Sequence, residues 1–179
     1  MYIFTHCSVK LLSQFNGSHA VKLLSQFNGS HAVNPKTKKG IGCYLVIKNL
    51  NDKVNVQDIK TINIDDTSST MAELLTIKYI LSLMDQEYNN TKIPMYLYTD
   101  CENFVNLIRT RKYNKKLLKH KNFPLYEELL QLTDRLNIKI IWMKDPCKKN
   151  TKELHEMIFS QVDRYAKYKL KNSKKLLID

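Results

Sequence analysis

Residues 95–108, Met95-Tyr-Leu-Tyr-Thr99-Asp100-Cys-Glu-Asn-Phe-Val-Asn-Leu-Ile108, decide the fold class. Their first five letters are short, apolar and tyrosine-rich, which suits a strand buried in a sheet. Asp100 stands immediately beyond that strand, and Asn103 to Ile108 opens a helix. A carboxylate at such a strand end lies on the edge at which α/β sheets bind their ligands.

Outward from this point the chain alternates strands and helices. On the N-terminal side, Ile41 to Lys48 reads as a strand, Asn49 to Asp52 as a turn, and Val54 to Ile64 as a second extended segment pairing back on it. Thr70-Met-Ala-Glu73 fits a capping box and begins a helix running to about Met84. On the C-terminal side, Pro124 suits a helix start, and Leu125, Leu129, Leu132 and Leu136 give that helix an apolar stripe. Ile138 to Met143 is a further strand, Lys144 to Lys152 a polar loop, and Thr151 to about Lys171 a long final helix. Trp142, Tyr96 and Tyr98 alternate along strands and are expected in the core.

The 179 residues carry 29 Lys and Arg against 17 Asp and Glu, a net charge of +12. That excess calls for a polyanionic partner, most simply nucleic acid. With 43% hydrophobic residues and no apolar run near the ~20 residues of a spanning helix, a soluble globular domain is expected rather than a membrane protein. The excess is unevenly built: residues 1–51 contain six Lys and no acid. Residues 9–20 and 21–32 are the same twelve letters, VKLLSQFNGSHA, in tandem. Two copies do not make a solenoid. The four cysteines form no CxxC pair, so neither a zinc site nor a disulfide framework is expected, and a reducing compartment is. No basic region precedes the apolar N-terminus, so a secretory leader is not expected.

Three acids stand in positions suited to chemistry: Glu73 in the first turn of its helix, Asp100 past its strand, and Asp163 within the last helix. Each also has a purely structural alternative. Glu73 could complete the capping box with Thr70, Asp100 could cap the next helix, and Asp163 could pair with Lys167 one turn on.

The order and the local words resemble the ribonuclease H family. The matching pieces are FNGSHAVNPKTKKGIGCYLVI (27–47), SSTMAELLTIKYIL (68–81), YLYTDCENFVNLI (96–108), IKIIWMKD (138–145) and FSQVDRYAK (159–167). The resemblance implies an α/β ribonuclease H-like fold, a mixed five-stranded sheet of three antiparallel then two parallel strands flanked by helices. It implies a domain over 27–171, preceded by an irregular segment over 1–26 that contains most of the repeat and followed by a basic tail over 172–179. It further implies hydrolysis of RNA in RNA/DNA hybrids by two Mg²⁺ ions, with Mn²⁺ as substitute, in an intracellular monomer of the cytoplasm or nucleus.

By the same resemblance Glu73, Asp100 and Asp163 fill three of four metal-ligand positions. Such a centre needs clustered hard oxygen ligands to offset its cations. The fourth position departs from the pattern. The family's D-G-S word followed six residues later by Asn-Pro matches Asn28-Gly-Ser30 and Asn34-Pro35, with an amide in the acid's place. A rival register takes Tyr2-Ile-Phe-Thr5 as the opening strand and puts His6 at that position; the Asn28 register is adopted. Either way a charge is lost, so weakened metal binding and reduced or absent hydrolysis are expected, with nucleic-acid binding retained. His155 is the candidate for the mobile histidine that many members carry before the last helix.

Nucleic-acid contacts are expected at Ser69 and Thr70, at Asn34 and Lys36, and at Arg109, Arg111, Lys112, Lys115 and Lys116. The last five belong to residues 109–121, which hold seven Lys or Arg and no acid, where the resemblance places a basic protrusion. Two alternatives of function stand beside hydrolysis of hybrids: a catalytically inactive module that binds hybrid or duplex nucleic acid, and a resolvase-like DNA nuclease on the same fold.

Overall fold

The computed structural model describes residues 1–11, 38–65, 68–88, 91, 93–111, 114–136, 138–144 and 153–172. Five strands form one sheet: β1 (Tyr2–Leu11), β2 (Lys38–Ile47), β3 (Lys60–Asp65), β4 (Met95–Thr99) and β5 (Ile138–Trp142), in the spatial order β3-β2-β1-β4-β5. β1 pairs antiparallel with β2 and parallel with β4, β2 pairs antiparallel with β3, and β4 parallel with β5. The helices are α1 (Ser69–Tyr88), the short α2 (Glu102–Asn106), α3 (Phe123–Leu136) and α4 (Leu154–Asn172).

β1 is the central strand, and its position corrects the expected division of the chain. Residues 2–11 are ordered by alternation: Ile3 and Cys7 face one side of the sheet, Phe4 the other, and all three are buried. The opening strand is thus Tyr2–Leu11, and the irregular assignment over 1–26 does not hold for it. The first repeat copy contributes Val9, Lys10 and Leu11 to β1, paired with Gly40, Lys39 and Lys38. The rest of both copies, with Asn28, Asn34 and Lys36, lies outside the described residues, as do Lys112 and residues 173–179.

Each face of the sheet has its own core. Ile3 and Leu97 meet α1 and α3 through Leu74, Ile77, Leu81, Leu129 and Leu132. Phe4, Cys43, Leu45 and Tyr98 meet α4 through Ile158, Phe159, Val162 and Ala166. On this second face the register stacks cross-strand aromatics: Tyr2 on Tyr96 at 5.4 Å and Phe4 on Tyr98 at 4.7 Å between ring centroids. Tyr98 is buried, while Tyr96 and Trp142 are only partly so, Trp142 because β5 is an edge strand.

Local details differ from the sequence expectation for identifiable reasons. The segment 54–64 is not extended throughout: Val56–Asp58 is a turn of 3₁₀-helix, set by Asn55 and Asp58, before β3 begins. α1 runs past Met84 to Tyr88. Its N-terminus is closed by Ser68, whose Oγ accepts from the Met71 backbone N–H at 3.2 Å, so Thr70 and Glu73 do not form the capping pair.

Gly40 and Gly42 on β2 bring α1 unusually close to the sheet. A Cβ at Gly42 would collide with Thr76 Oγ1 and lie 2.9 Å from Ile62 Cγ1. At Gly40 it would meet Ala72 Cβ at 3.3 Å. Both helix contacts fall on the turn of α1 that carries Glu73.

Candidate functional site

The site lies where β1 and β4 cease to pair. Their parallel register ends at Thr5↔Thr99, which places His6 beside Asp100. His6 shares the sheet face of Phe4 and therefore points toward α4. There its ring meets the edge of Phe159 at 6.1 Å between centroids. Asp163 is one helical turn beyond Phe159, so the stripe that packs α4 on the sheet also delivers this carboxylate. Glu73 arrives from the opposite face on α1 and lines the same small depression as Thr5, His6, Cys7, Thr99 and Asp100.

The imidazole joins two of the three acids. His6 Nδ1 is 3.0 Å from Asp100 Oδ2, and His6 Nε2 is 3.0 Å from Asp163 Oδ1. The first is a hydrogen bond; the second is an ion-pair distance with unfavourable hydrogen-bond geometry, and Ser8 Oγ lies 3.5 Å from the same nitrogen. The other Asp163 oxygen, Oδ2, accepts from Lys167 Nζ at 2.8 Å. The His6 and Asp163 side chains are 11% and 9% exposed. Asp100 Oδ1, Asp163 Oδ1 and Thr5 Oγ1 are buried with no hydrogen-bond partner among the described residues.

These contacts set the protonation states. Burial works against charge on His6, but the hydrogen bond to Asp100, the approach of Asp163 and both negative charges outweigh it and hold the imidazole up at about 9. Burial likewise opposes ionisation of Asp163, yet His6 and Lys167 draw it down to about 2. Glu73 is pushed upward, first by burial and then by the charge of Asp100, while the Cys101 thiol that donates to it and the His6 cation pull the other way.

The structural alternatives resolve individually. Asp100 is not a helix cap, since Cys101 holds the N-cap position of α2 and its N–H is taken by Thr99 Oγ1 at 3.2 Å. Asp163 does pair with Lys167, in addition to His6. His155 Nδ1 lies 3.4 Å from Glu153, and its ring packs on Tyr98 at 5.3 Å, so its partners are not the carboxylates of the site. Ser69 and Thr70 occupy the first turn of α1. Arg109 is exposed on a wide helical turn, Leu107–Arg111, and Lys115 and Lys116 are exposed on a 3₁₀ turn, Lys115–Lys119. The backbone of Arg111 belongs to the first of these turns. No local pattern marks Cys101 or Thr5 as a neighbour of the acids; only the sheet register brings them there.

A divalent cation such as Mg²⁺ or Mn²⁺ requires several oxygen ligands free to turn toward it. Here Asp100 Oδ2 is engaged by His6 and Asp163 Oδ2 by Lys167. Glu73 accepts from a thiol, and a cation already lies between the two aspartates. Among the described residues no group of three or more His, Cys, Asp or Glu side chains has the spacing to hold a metal ion. In this arrangement the residues do not fit a divalent metal.

No protein-family model and no curated protein matches the sequence. Solved structures do match in shape. The RNase H domain of prototype foamy virus, determined in solution, superposes with a TM-score of 0.57 at 14% identity, covering 93% of this chain and 92% of that one. The foamy viral protease-reverse transcriptase in complex with an RNA/DNA hybrid matches at TM-score 0.57 and 11% identity over 93% of this chain, which spans only 19% of that larger protein. LC9-RNase H1, a type 1 RNase H with the type 2 active-site motif, matches at TM-score 0.51 and 10% identity over 94% of this chain and 71% of that one. Among the described residues no helix is long and apolar enough to cross a membrane. Strand order, mixed pairing and these superpositions agree that the chain has a ribonuclease H-like fold.

Proposed function

We propose that this chain is a ribonuclease H-like module that binds RNA/DNA hybrid or duplex nucleic acid and, in its native form, does not hydrolyse it. The observation that carries this reading is His6, whose ring nitrogens face Asp100 and Asp163 at 3.0 Å each. Carboxylates committed to a cation of the protein itself are not free to gather metal ions around a phosphodiester. Binding is supported by the net charge of +12 and by the exposed cations Arg109, Lys115 and Lys116. A similarly folded protein, the foamy viral protease-reverse transcriptase, is itself known in complexes with RNA/DNA hybrid and with dsDNA.

The second reading is metal-dependent endonucleolytic cleavage of the RNA strand. It draws support from one feature, two buried carboxylate oxygens, Asp100 Oδ1 and Asp163 Oδ1, that have no hydrogen-bond partner among the described residues, the second being 3.0 Å from His6 Nε2. A labelled RNA/DNA hybrid and a matched DNA duplex, incubated with Mg²⁺ or Mn²⁺, separate the two. Salt-dependent binding without cleavage is expected. Cleavage by the unaltered chain that disappears in Asp100→Asn would overturn the proposal, and His6→Asp and Asn28→Asp, run in parallel, report which position governs hydrolysis.

A further inference from the structure

Imidazole has one N–H when neutral and two when protonated, whereas a carboxylate only accepts. Both ring nitrogens of His6 face carboxylate oxygens, Asp100 Oδ2 and Asp163 Oδ1. A neutral ring bonded through Nδ1–H to Asp100 would turn the Nε2 lone pair toward Asp163 Oδ1 at 3.0 Å, against which only the Ser8 hydroxyl at 3.5 Å could donate, so the placement between two carboxylates favours the doubly protonated ring. Asp163 has a second cation, Lys167, at 2.8 Å. Two positive groups therefore face two carboxylates. Ser8 on β1 and Phe159 on α4 border the ring, an open cleft beside it is lined by Val9, Lys167, Leu170 and Lys171, and Glu73 lines the depression on the other side.

We propose that the His6 imidazolium is a resident cation standing in for divalent metal: with Lys167 it balances Asp100 and Asp163, so the centre assembles without Mg²⁺ or Mn²⁺. The inference deepens the function proposed above and rests on its view of a closed centre, but it involves no nucleic acid. Two features make the arrangement replaceable by a single residue. Among the described residues Asp100 Oδ1 has no hydrogen-bond partner and Asp163 Oδ1 has no contact but the ion pair with His6, and Glu73 already borders the same depression. Exchange of His6 for an acid would remove the internal cation and place a carboxylate among three others, a set of hard oxygen ligands of the kind divalent cations select.

The test uses the full chain and metal alone. In the unaltered protein, ¹⁵N resonances of the His6 ring at neutral pH are expected to show both nitrogens protonated, and Mn²⁺ followed by electron paramagnetic resonance should show no saturable site. His6→Asp is expected to lower the thermal midpoint in chelator and to recover it with Mn²⁺, binding that ion at least about tenfold more tightly than the unaltered chain. His6→Asn, which removes the cation without adding charge, serves if the aspartate variant does not fold, and it too should bind Mn²⁺ more tightly than the unaltered chain. A bare His6 nitrogen, saturable Mn²⁺ binding by the unaltered protein, or a folded His6 variant with no gain in Mn²⁺ affinity would each overturn the inference. Because nucleic acid is absent, a failure of hybrid binding leaves these outcomes untouched, and the reverse also holds.

Discussion

Asp163 and Lys167 are one turn apart on α4 and joined at 2.8 Å, while the opposite oxygen of Asp163 faces His6 at 3.0 Å. The carboxylate thus has a cation on either side. Lys167 is 64% exposed, so its contribution is screened and small. The buried imidazole is the stronger partner.

Stability should therefore depend on pH at both ends of the range. The folded-state value of His6 is raised from 6.5 to about 9, so its contribution is complete below about pH 6.5 and disappears as pH rises through about 9. Its upper size is on the order of 3 kcal/mol. Asp163 is lowered from 3.8 to about 2, so its contribution is present above pH 3.8 and is lost as pH falls through about 2. Much of this is the same ion pair seen from its other member. Urea midpoints measured from pH 3 to 10 should decline at both ends, and His6→Asn should flatten the alkaline decline specifically; an unchanged alkaline slope would contradict the assignment.

The close approach of α1 to β2 makes Gly42 intolerant of a side chain. Gly42→Ala should lower stability by roughly 1–3 kcal/mol, because the new methyl would strike Thr76, which is buried and bonded to Ala72 O at 2.8 Å. Gly40→Ala should cost less, its nearest atoms being Val9 Cγ2 at 3.2 Å and Ala72 Cβ at 3.3 Å. Chemical denaturation of the two variants gives the order directly.

Nucleic-acid affinity should fall when the basic turns are neutralised. The triple change Arg109→Ala, Lys115→Ala, Lys116→Ala leaves the core untouched, since all three side chains are exposed. Hybrid binding is expected to weaken, and the slope of log affinity against log salt should drop by roughly 0.9 for each phosphate left without its cation. An unchanged slope would exclude these residues from the interface.

The thiols should be inert in the folded protein. Burial pushes Cys7 and Cys43 up to about 12, and burial with the neighbouring Glu73 charge raises Cys101 as well. In a Cys147→Ser background, alkylation at neutral pH should be slow until denaturant is added and then proceed at all three positions. Rapid labelling of native Cys101 would mean that Glu73 is not held as described.

Much of the architecture was legible because period and punctuation carry it. The alternation of MYLYT, the leucine stripe of 125–136 and the apolar rhythm after Ser68 are local properties, and each element formed where those patterns stood. The first strand was harder. FNGS at 27–30 imitates a strand-ending word, and it occurs twice through the duplication, at 15–18 and 27–30. What selects Tyr2–Leu11 is pairing with β4 across more than ninety positions of sequence, a property that no local word contains. The acids show the same division. Asp100 and Asp163 stand out by position, but the charge state of the centre depends on a histidine whose direction follows from strand pleat and helix phase.

The two halves of β1 have different neighbours. Pairing with β4 ends at Thr5, whereas pairing with β2 continues to Leu11↔Lys38. Beyond His6 the sheet is thus prolonged by β1, β2 and β3 alone, and the connection holding most of both repeat copies is attached at the far tip of the β1–β2 pair. The twelve-residue repeat therefore joins the sheet on the side away from β4, with Val9, Lys10 and Leu11 of its first copy held in β1 and His6 three residues before it.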